Sequence, residues 1–231
     1  MKAFLITGRL CAAAAALFLT ASPAHAELVL SELIVDFQPG KQDREDIEIW
    51  NNSPDRSYVA VEPRQIIDPS LPSQRDFRDP DPEKLGLLVA PARMILEAGQ
   101  RKLIRIAALT RSANREQVYR VTVKPVVGGI KSEDSGLKIV VGYDVLVLVR
   151  PAQASVSVTG RRTGRKLTFT NSGNESVEVV DGRQCETVNQ HCWELPSKRL
   201  YPGASWIVDL QSDEPVQYLL KSPGKNERRT Y

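Results

Sequence analysis

The chain has 231 residues, 42% of them hydrophobic and 26% charged, with a formal net charge of +3. It is long enough for one large or two ordinary packed domains, and too near neutrality to imply a nucleic-acid partner. Three cysteines and two histidines leave few metal ligands and few catalytic bases.

Residues 1–26 read as a secretory signal peptide. Lys2 and Arg9 begin it, Leu10 to Thr20 are mostly apolar, and Ala24-His25-Ala26 forms an A-x-A cleavage site. Arg9 close before Cys11 argues against a lipoprotein. The apolar stretch is shorter than the roughly 20 residues a spanning helix needs, and no later run approaches that length, so no membrane anchor is expected. The mature chain is expected to start at Glu27 and to keep only Cys185 and Cys192. An even pair in an exported protein is most simply a disulfide.

From Glu27 onward the pattern is strand, turn, strand. Leu28 to Leu30 and Leu33 to Val35 precede the Pro39-Gly40 turn; Asp46 to Trp50 alternates, and Asn51-Asn52-Ser53-Pro54 reads as a turn. Tyr58 to Val61 restarts a strand. Asp68 to Glu83, rich in proline and charge, is expected to be a long surface loop. Leu85 to Val89, Arg93 to Leu96, Leu103 to Ala107 and Val118 to Val123 supply further strands. After Arg150-Pro151 come Ser155 to Val158, Lys166 to Thr170, Val177 to Val180, Arg199 to Tyr201, Ser205 to Leu210 and Val216 to Leu220. The tail from Lys221 to Tyr231 is polar and expected to fray. Short strands with turn signals every 8–12 residues or so predict an all-β chain built as β-sandwiches. The Arg-Pro junction divides it into 27–149 and 150–231.

The run Leu137 to Pro151 is the most informative part of the chain. Every odd position from Leu137 to Val149 is apolar or aromatic, the period-two signature of a strand with one buried face. Lys138, Val140, Gly142 and Asp144 leave its first half one-sided, whereas Leu146 and Leu148 make the second half apolar on both faces. At roughly 3.3 Å per residue it would span about 43 Å, against about 17–20 Å for an ordinary strand. Part of it is expected to overhang the sheet, and an exposed apolar edge invites another chain to pair with it.

Catalysis has little support. The mature chain would contain one histidine, His191, beside Cys192 in a polar loop, and no phosphate-cradling glycine loop or HExxH pattern is present. No cofactor or metal is expected. Exported hydrolase activity is therefore a remote alternative; an immunoglobulin-like adhesin or structural subunit of a surface fibre is the nearer one.

Several segments in order carry a family resemblance. They are Ile47-Glu48-Ile49-Trp50-Asn51-Asn52; Pro91-Ala92-Arg93 followed by Leu96-Glu97-Ala98-Gly99 and Leu103-Ile104-Arg105-Ile106; Asn114-Arg115-Glu116 leading into Val118-Tyr119-Arg120-Val121; and Val147-Leu148-Val149-Arg150-Pro151. Leu167 to Asn171 and Leu200-Tyr201-Pro202-Gly203 match more weakly. In this combination the chain resembles the PapD-like periplasmic chaperones of pilus assembly.

The resemblance implies two immunoglobulin-like domains at an angle with a cleft between them, and donor-strand complementation. In such complexes the chaperone completes an unfinished pilin sandwich with its own strand in a 1:1 complex, and an outer-membrane usher later receives the subunit. Carried onto this sequence, the lent side chains are Leu137, Ile139 and Val141. Glu116, Arg150 and Asp213 fall at or near the family's interdomain ionic network. Classical members hold the subunit's terminal carboxylate with two basic residues whose places here fall near Val35 and at Leu146. Neither is basic, which points to a non-classical, archaic branch. A hairpin centred near Ile130 would set position 115 opposite 145 or 146 and makes Arg115 the candidate anchor. The exposed edge also allows a self-capping homodimer.

Overall fold

The computed structural model describes residues 27–112, 114–126, 141–186 and 191–231. Ten strands build the first sandwich: β1 Leu28–Leu30, β2 Ile34–Phe37, β3 Arg44–Asn51, β4 Ser57–Ile67, β5 Arg75–Phe77, β6 Leu87–Ala90, β7 Arg93–Leu96, β8 Arg101–Ala108, β9 Gln117–Pro125 and β10 Tyr143–Val149. One short helix, α1 (Pro82–Leu85), precedes β6. It is capped by the Asp81 side chain and stopped by Gly86 in the left-handed region. The sheets run β1-β3-β8-β6 and β2-β10-β9-β4-β5, with β7 also paired to β4.

Strict alternation drives this packing. In β3, Ile47, Ile49 and Asn51 point inward, and in β8 Ile104 and Ile106 do. They meet Val59, Val61, Tyr119, Val121, Val123, Val145, Val147 and Val149 from the facing sheet in one apolar core.

Eight strands build the second sandwich: β11 Val158–Thr163, β12 Lys166–Asn171, β13 Val177–Cys185, β14 Cys192–Leu195, β15 Lys198–Leu200, β16 Ser205–Asp209, β17 Val216–Ser222 and β18 Lys225–Thr230. Their sheets run β11-β12-β16 and β14-β13-β17-β18, with β15 on β13. Phe169, Tyr218, Leu167, Val177 and Leu200 are among the side chains centring a separate core. Cys185 and Cys192 are opposite each other on β13 and β14 and form the expected disulfide.

Both sandwiches use a buried asparagine in the same way. Asn51 donates from its amide to the carbonyls of Asp55, Leu96 and Glu97, and its carbonyl oxygen accepts from the Ser53 amide. Asn171 donates to Glu175 and Leu200 and accepts from Gly173. Each side chain thus supplies the partners that a turn entering the core would otherwise lack.

Three expectations need correction. The Asp68 to Glu83 stretch is not wholly irregular, since it contains β5 and enters α1. The strand expected at Ser155 to Val158 begins where that segment ends and continues through Gly160, where the Tyr231 ring occupies the space a side chain would need. The tail is β18, paired with β17 through a turn at Gly224. Its charged side chains suit an edge strand, and its terminal Tyr231 stands edge-on to Phe169 at 5.2 Å.

Replacing Tyr231 by Ala should therefore destabilise the second sandwich by about 2 kcal/mol. Urea unfolding followed through Trp206, which stacks on Phe169, is the measurement; an unchanged midpoint would return the tail to the status of a loose end.

Candidate functional site: the two-faced strand and the interdomain cleft

β10 is buried on both faces, by two different sets of neighbours. Its odd positions, Val145, Val147 and Val149, enter the first core, and Tyr143 packs against it. Its even positions, Leu146 and Leu148, join Val118, Ile66 and Tyr201 of the second sandwich in a small cluster between the sandwiches. This is why the second half of the run is apolar without alternation.

The two edges of β10 are treated differently along its length. β9 pairs antiparallel with all of it, from Tyr143 opposite Val123 to Val149 opposite Gln117. β2 pairs parallel only with Leu146 to Val149, and the Leu146 amide donates to the Leu33 carbonyl. Backbone groups two residues apart face the same side of a strand, so those of Asp144 and Gly142 point past the start of β2. Among the described residues no strand pairs with that stretch of edge. Val141 shares the core-facing parity of β10 yet is 63% exposed. Leu137 and Ile139 lie outside the described residues.

The cleft face of the same sheet carries charge. The register puts Arg120 opposite Leu146 on one side and opposite Arg64 on the other. Arg64 grips Asp144 through two nitrogens at 3.1 and 3.0 Å, and its Nε lies 3.1 Å from Asp76. Arg120 donates to the Asp144 carbonyl at 3.3 Å and lies 3.9 Å from its carboxylate. Together with Ile66, Val118 and Tyr201 they line a cleft cavity of about 320 Å³.

Arg115 sits elsewhere. It is not opposite 145 or 146; its guanidinium donates to Asp68 at 3.3 Å and to the Pro202 carbonyl at 3.0 Å, between the sandwiches. The two places expected to lack a basic side chain are filled by packing: Val35 is in the first core and Leu146 in the interdomain cluster.

Arg150 follows β10 at the junction, 3% exposed. Its Nε and Nη2 hold both oxygens of Asp36 at 2.8 and 3.0 Å, a fork-to-fork pairing. Its Nη1 donates to Glu116 Oε2 at 2.6 Å and to the Ser176 carbonyl at 3.0 Å, and Glu175 lies 3.9 Å away. The Ser176 amide and hydroxyl also donate to Glu116 Oε2. The structure thus brings Glu116 and Arg150 together across the junction. Asp213 is not among their partners; it is 3.8 Å from Arg165 with a side chain 81% exposed. Sequence reasoning missed Asp36 and Glu175, which no local motif marks.

One buried guanidinium facing three carboxylates leaves negative charge in excess. Burial pushes the Glu116 carboxyl above its ordinary range despite Arg150 and Ser176, and its Oε1 is buried without a hydrogen-bond partner. Burial also raises Glu175, with Glu116 and Asp36 adding repulsion. A raised folded-state carboxyl binds its proton more tightly than the unfolded chain does. Its contribution therefore stabilises most below the ordinary value and is lost as pH rises through the raised one. Glu116→Gln should flatten the dependence of melting temperature on pH between about 7 and the ordinary carboxylate range of about 4.3. Thermal scans of both proteins across that window measure it, and parallel curves would show that Glu116 does not titrate there.

Comparison with known proteins bears on this geometry. Residues 27–155 match the family model described as the pili and flagellar-assembly chaperone, PapD N-terminal domain. The chain is 27% identical over 172 residues to a CS1 fimbrial protein of Escherichia coli, covering 69% of this chain and 71% of that protein. It is 26% identical over 195 residues to a CFA/I fimbrial protein of Escherichia coli, covering 79% and 80%. Its fold is similar to the crystal structure of the class 5 fimbriae chaperone CfaA, with a TM-score of 0.63 at 22% identity over 88% of this chain and 98% of that one. It is likewise similar to a chain in the complex of Salmonella enterica SafA pilin with the SafB chaperone, with a TM-score of 0.61 at 16% identity over 91% and 98%.

Proposed function

The chain belongs to the pili and flagellar-assembly chaperone family, and from that premise we propose that it acts in the periplasm as a donor-strand chaperone. It captures pilin subunits one to one and passes them to an outer-membrane usher. The observation that carries this reading is the behaviour of β10. Its apolar side chains are buried as far as Val145, while Val141, on the same parity, stands exposed where β2 no longer covers the edge. Leu137, Ile139 and Val141 continue that parity and are the side chains offered to an incomplete pilin. Each aliphatic group fully buried in such a groove contributes roughly 1.5–3 kcal/mol, and the backbone ladder fixes register.

A pilin whose chain ends in the cleft brings a carboxylate that needs a cationic partner. Arg115 is the anchor expected from the sequence, but both of its partners belong to the interdomain contact. Arg120, across from Leu146 where β2 coverage begins, is the better-placed anchor, with Arg64 behind it. The free chaperone can shield the same apolar edge by pairing with a second copy, and that dimer must open before a pilin is captured.

Ile139→Asp should abolish the 1:1 complex when chaperone and candidate pilin are co-expressed and purified from periplasmic extract, with the circular dichroism of the chaperone unchanged. Arg120→Ala should weaken capture about tenfold, the loss of one charge-assisted contact. Wild-type recovery of the complex with Ile139→Asp would overturn the donor-strand assignment.

A further inference from the structure

The loop between β4 and β5 belongs in part to the other sandwich. Leu71 leaves the first sandwich and packs against the second core, with its Cδ1 beside Gly203. The loop is held in an uncommon conformation to do this. Asp68 and Ser70 have φ of 52° and 63°, a left-handed region that non-glycine residues rarely occupy without compensation. The compensation is visible: Asp68 accepts from Ser73 at 3.0 Å, the Ser70 amide donates to Gln74 at 2.7 Å, and Arg115 ties Asp68 to the Pro202 carbonyl.

We propose that residues 68–74 form an interdomain strap in which Leu71 is the plug and Arg115 the clasp, fixing the opening of the cleft. A single attachment at Arg150 resists separation of the sandwiches but resists rotation about itself poorly. The strap supplies a second attachment on the Leu200 to Gly203 turn, with the Tyr201 cluster between the two. The same loop provides Pro69, Ser70 and Gln74 to the wall of the cavity that holds Arg64 and Arg120. Moving the strap therefore moves the wall against which a ligand in the cleft would rest. Leu71 and Arg115 are positioning residues: they act on the cleft through the angle of the second sandwich.

The geometric claim is independent of the chaperone reading, and only its effect on pilin capture rests on it. Spin labels at Lys102→Cys and Thr159→Cys, on exposed positions of the two sandwiches, report the interdomain distance in the free protein. The wild type should give one narrow distribution. Leu71→Ala and Arg115→Gln should each broaden it at least twofold, Leu71→Met should restore it, and pilin capture should weaken about tenfold in the two broadened variants. Ile139→Asp should leave the distances alone while removing capture, which separates failure of the strap from failure of the donor-strand reading. Unchanged distance distributions in both Leu71→Ala and Arg115→Gln, with both sandwiches folded by urea unfolding, would overturn the strap; broadened distributions with undiminished capture would overturn its bearing on the cleft.

Discussion

β10 has to satisfy two cores with one backbone. Its odd side chains close the first sandwich, its even ones join Tyr201 between the sandwiches, and its last residue leads directly into Arg150. A strand in this position cannot alternate apolar with polar residues, and it cannot slip without cost: a shift of one residue would drive Leu146 and Leu148 into the first core and turn Val145 and Val147 toward the interdomain cluster, mismatching both. The parallel pairing with β2 and the antiparallel pairing with β9 hold that register from both sides. Whatever continues β10 toward Val141 therefore inherits a fixed direction and a fixed parity.

The junction at Arg150 is built for direction more than for stability. A buried guanidinium and several carboxylates incur large desolvation costs, and such clusters seldom stabilise a fold relative to apolar packing. What the cluster supplies is geometry. Planar pairing with Asp36 orients the guanidinium from the first sandwich, while Glu116, also on the first side, is tied to Ser176 just before β13 of the second. Arg111 braces the same corner by donating to the carbonyls of Phe37 and Arg150. The apolar contacts of Tyr201 and Leu71 then supply what the ionic cluster does not, burial of surface across the interface.

The family resemblance pointed to Glu116 and Arg150, while the all-β class, the strands whose interiors alternate and the disulfide were legible in the sequence because each leaves a local signal: period two, or a pair of cysteines after residue 26. β14, β18 and the extension of β4 through Pro63 were not, for a common reason. Each lies wholly or partly along an edge, where polar residues are tolerated and alternation fades. Pro63 illustrates this. Val61 donates toward Ala92 on the β7 side, so the missing amide of Pro63 faces the same side, in the gap between the pairings of β7 and β5. Arg115 lies away from Leu146 for a different reason. Hairpin register depends on where the chain turns, and a centre near Ile130 misplaces the partner of Leu146, which is Arg120.

The edges also differ in how they are defended. β18 carries Lys225, Glu227, Arg228 and Arg229, and β4 carries Pro63 where its ladder is interrupted; both are devices that discourage another chain from pairing. Among the described residues, the edge formed by β2 and the approach to β10 is defended less, since its Asp36 and Asp144 are each held by an arginine. Leu33 and Ile34 are about half exposed and Val141 more so, with Gly142 and the backbone of Asp144 beside them. An apolar edge of this kind carries a standing risk of aggregation. A partner arriving as a strand would remove that risk by covering these side chains and pairing the backbone beside them in one step.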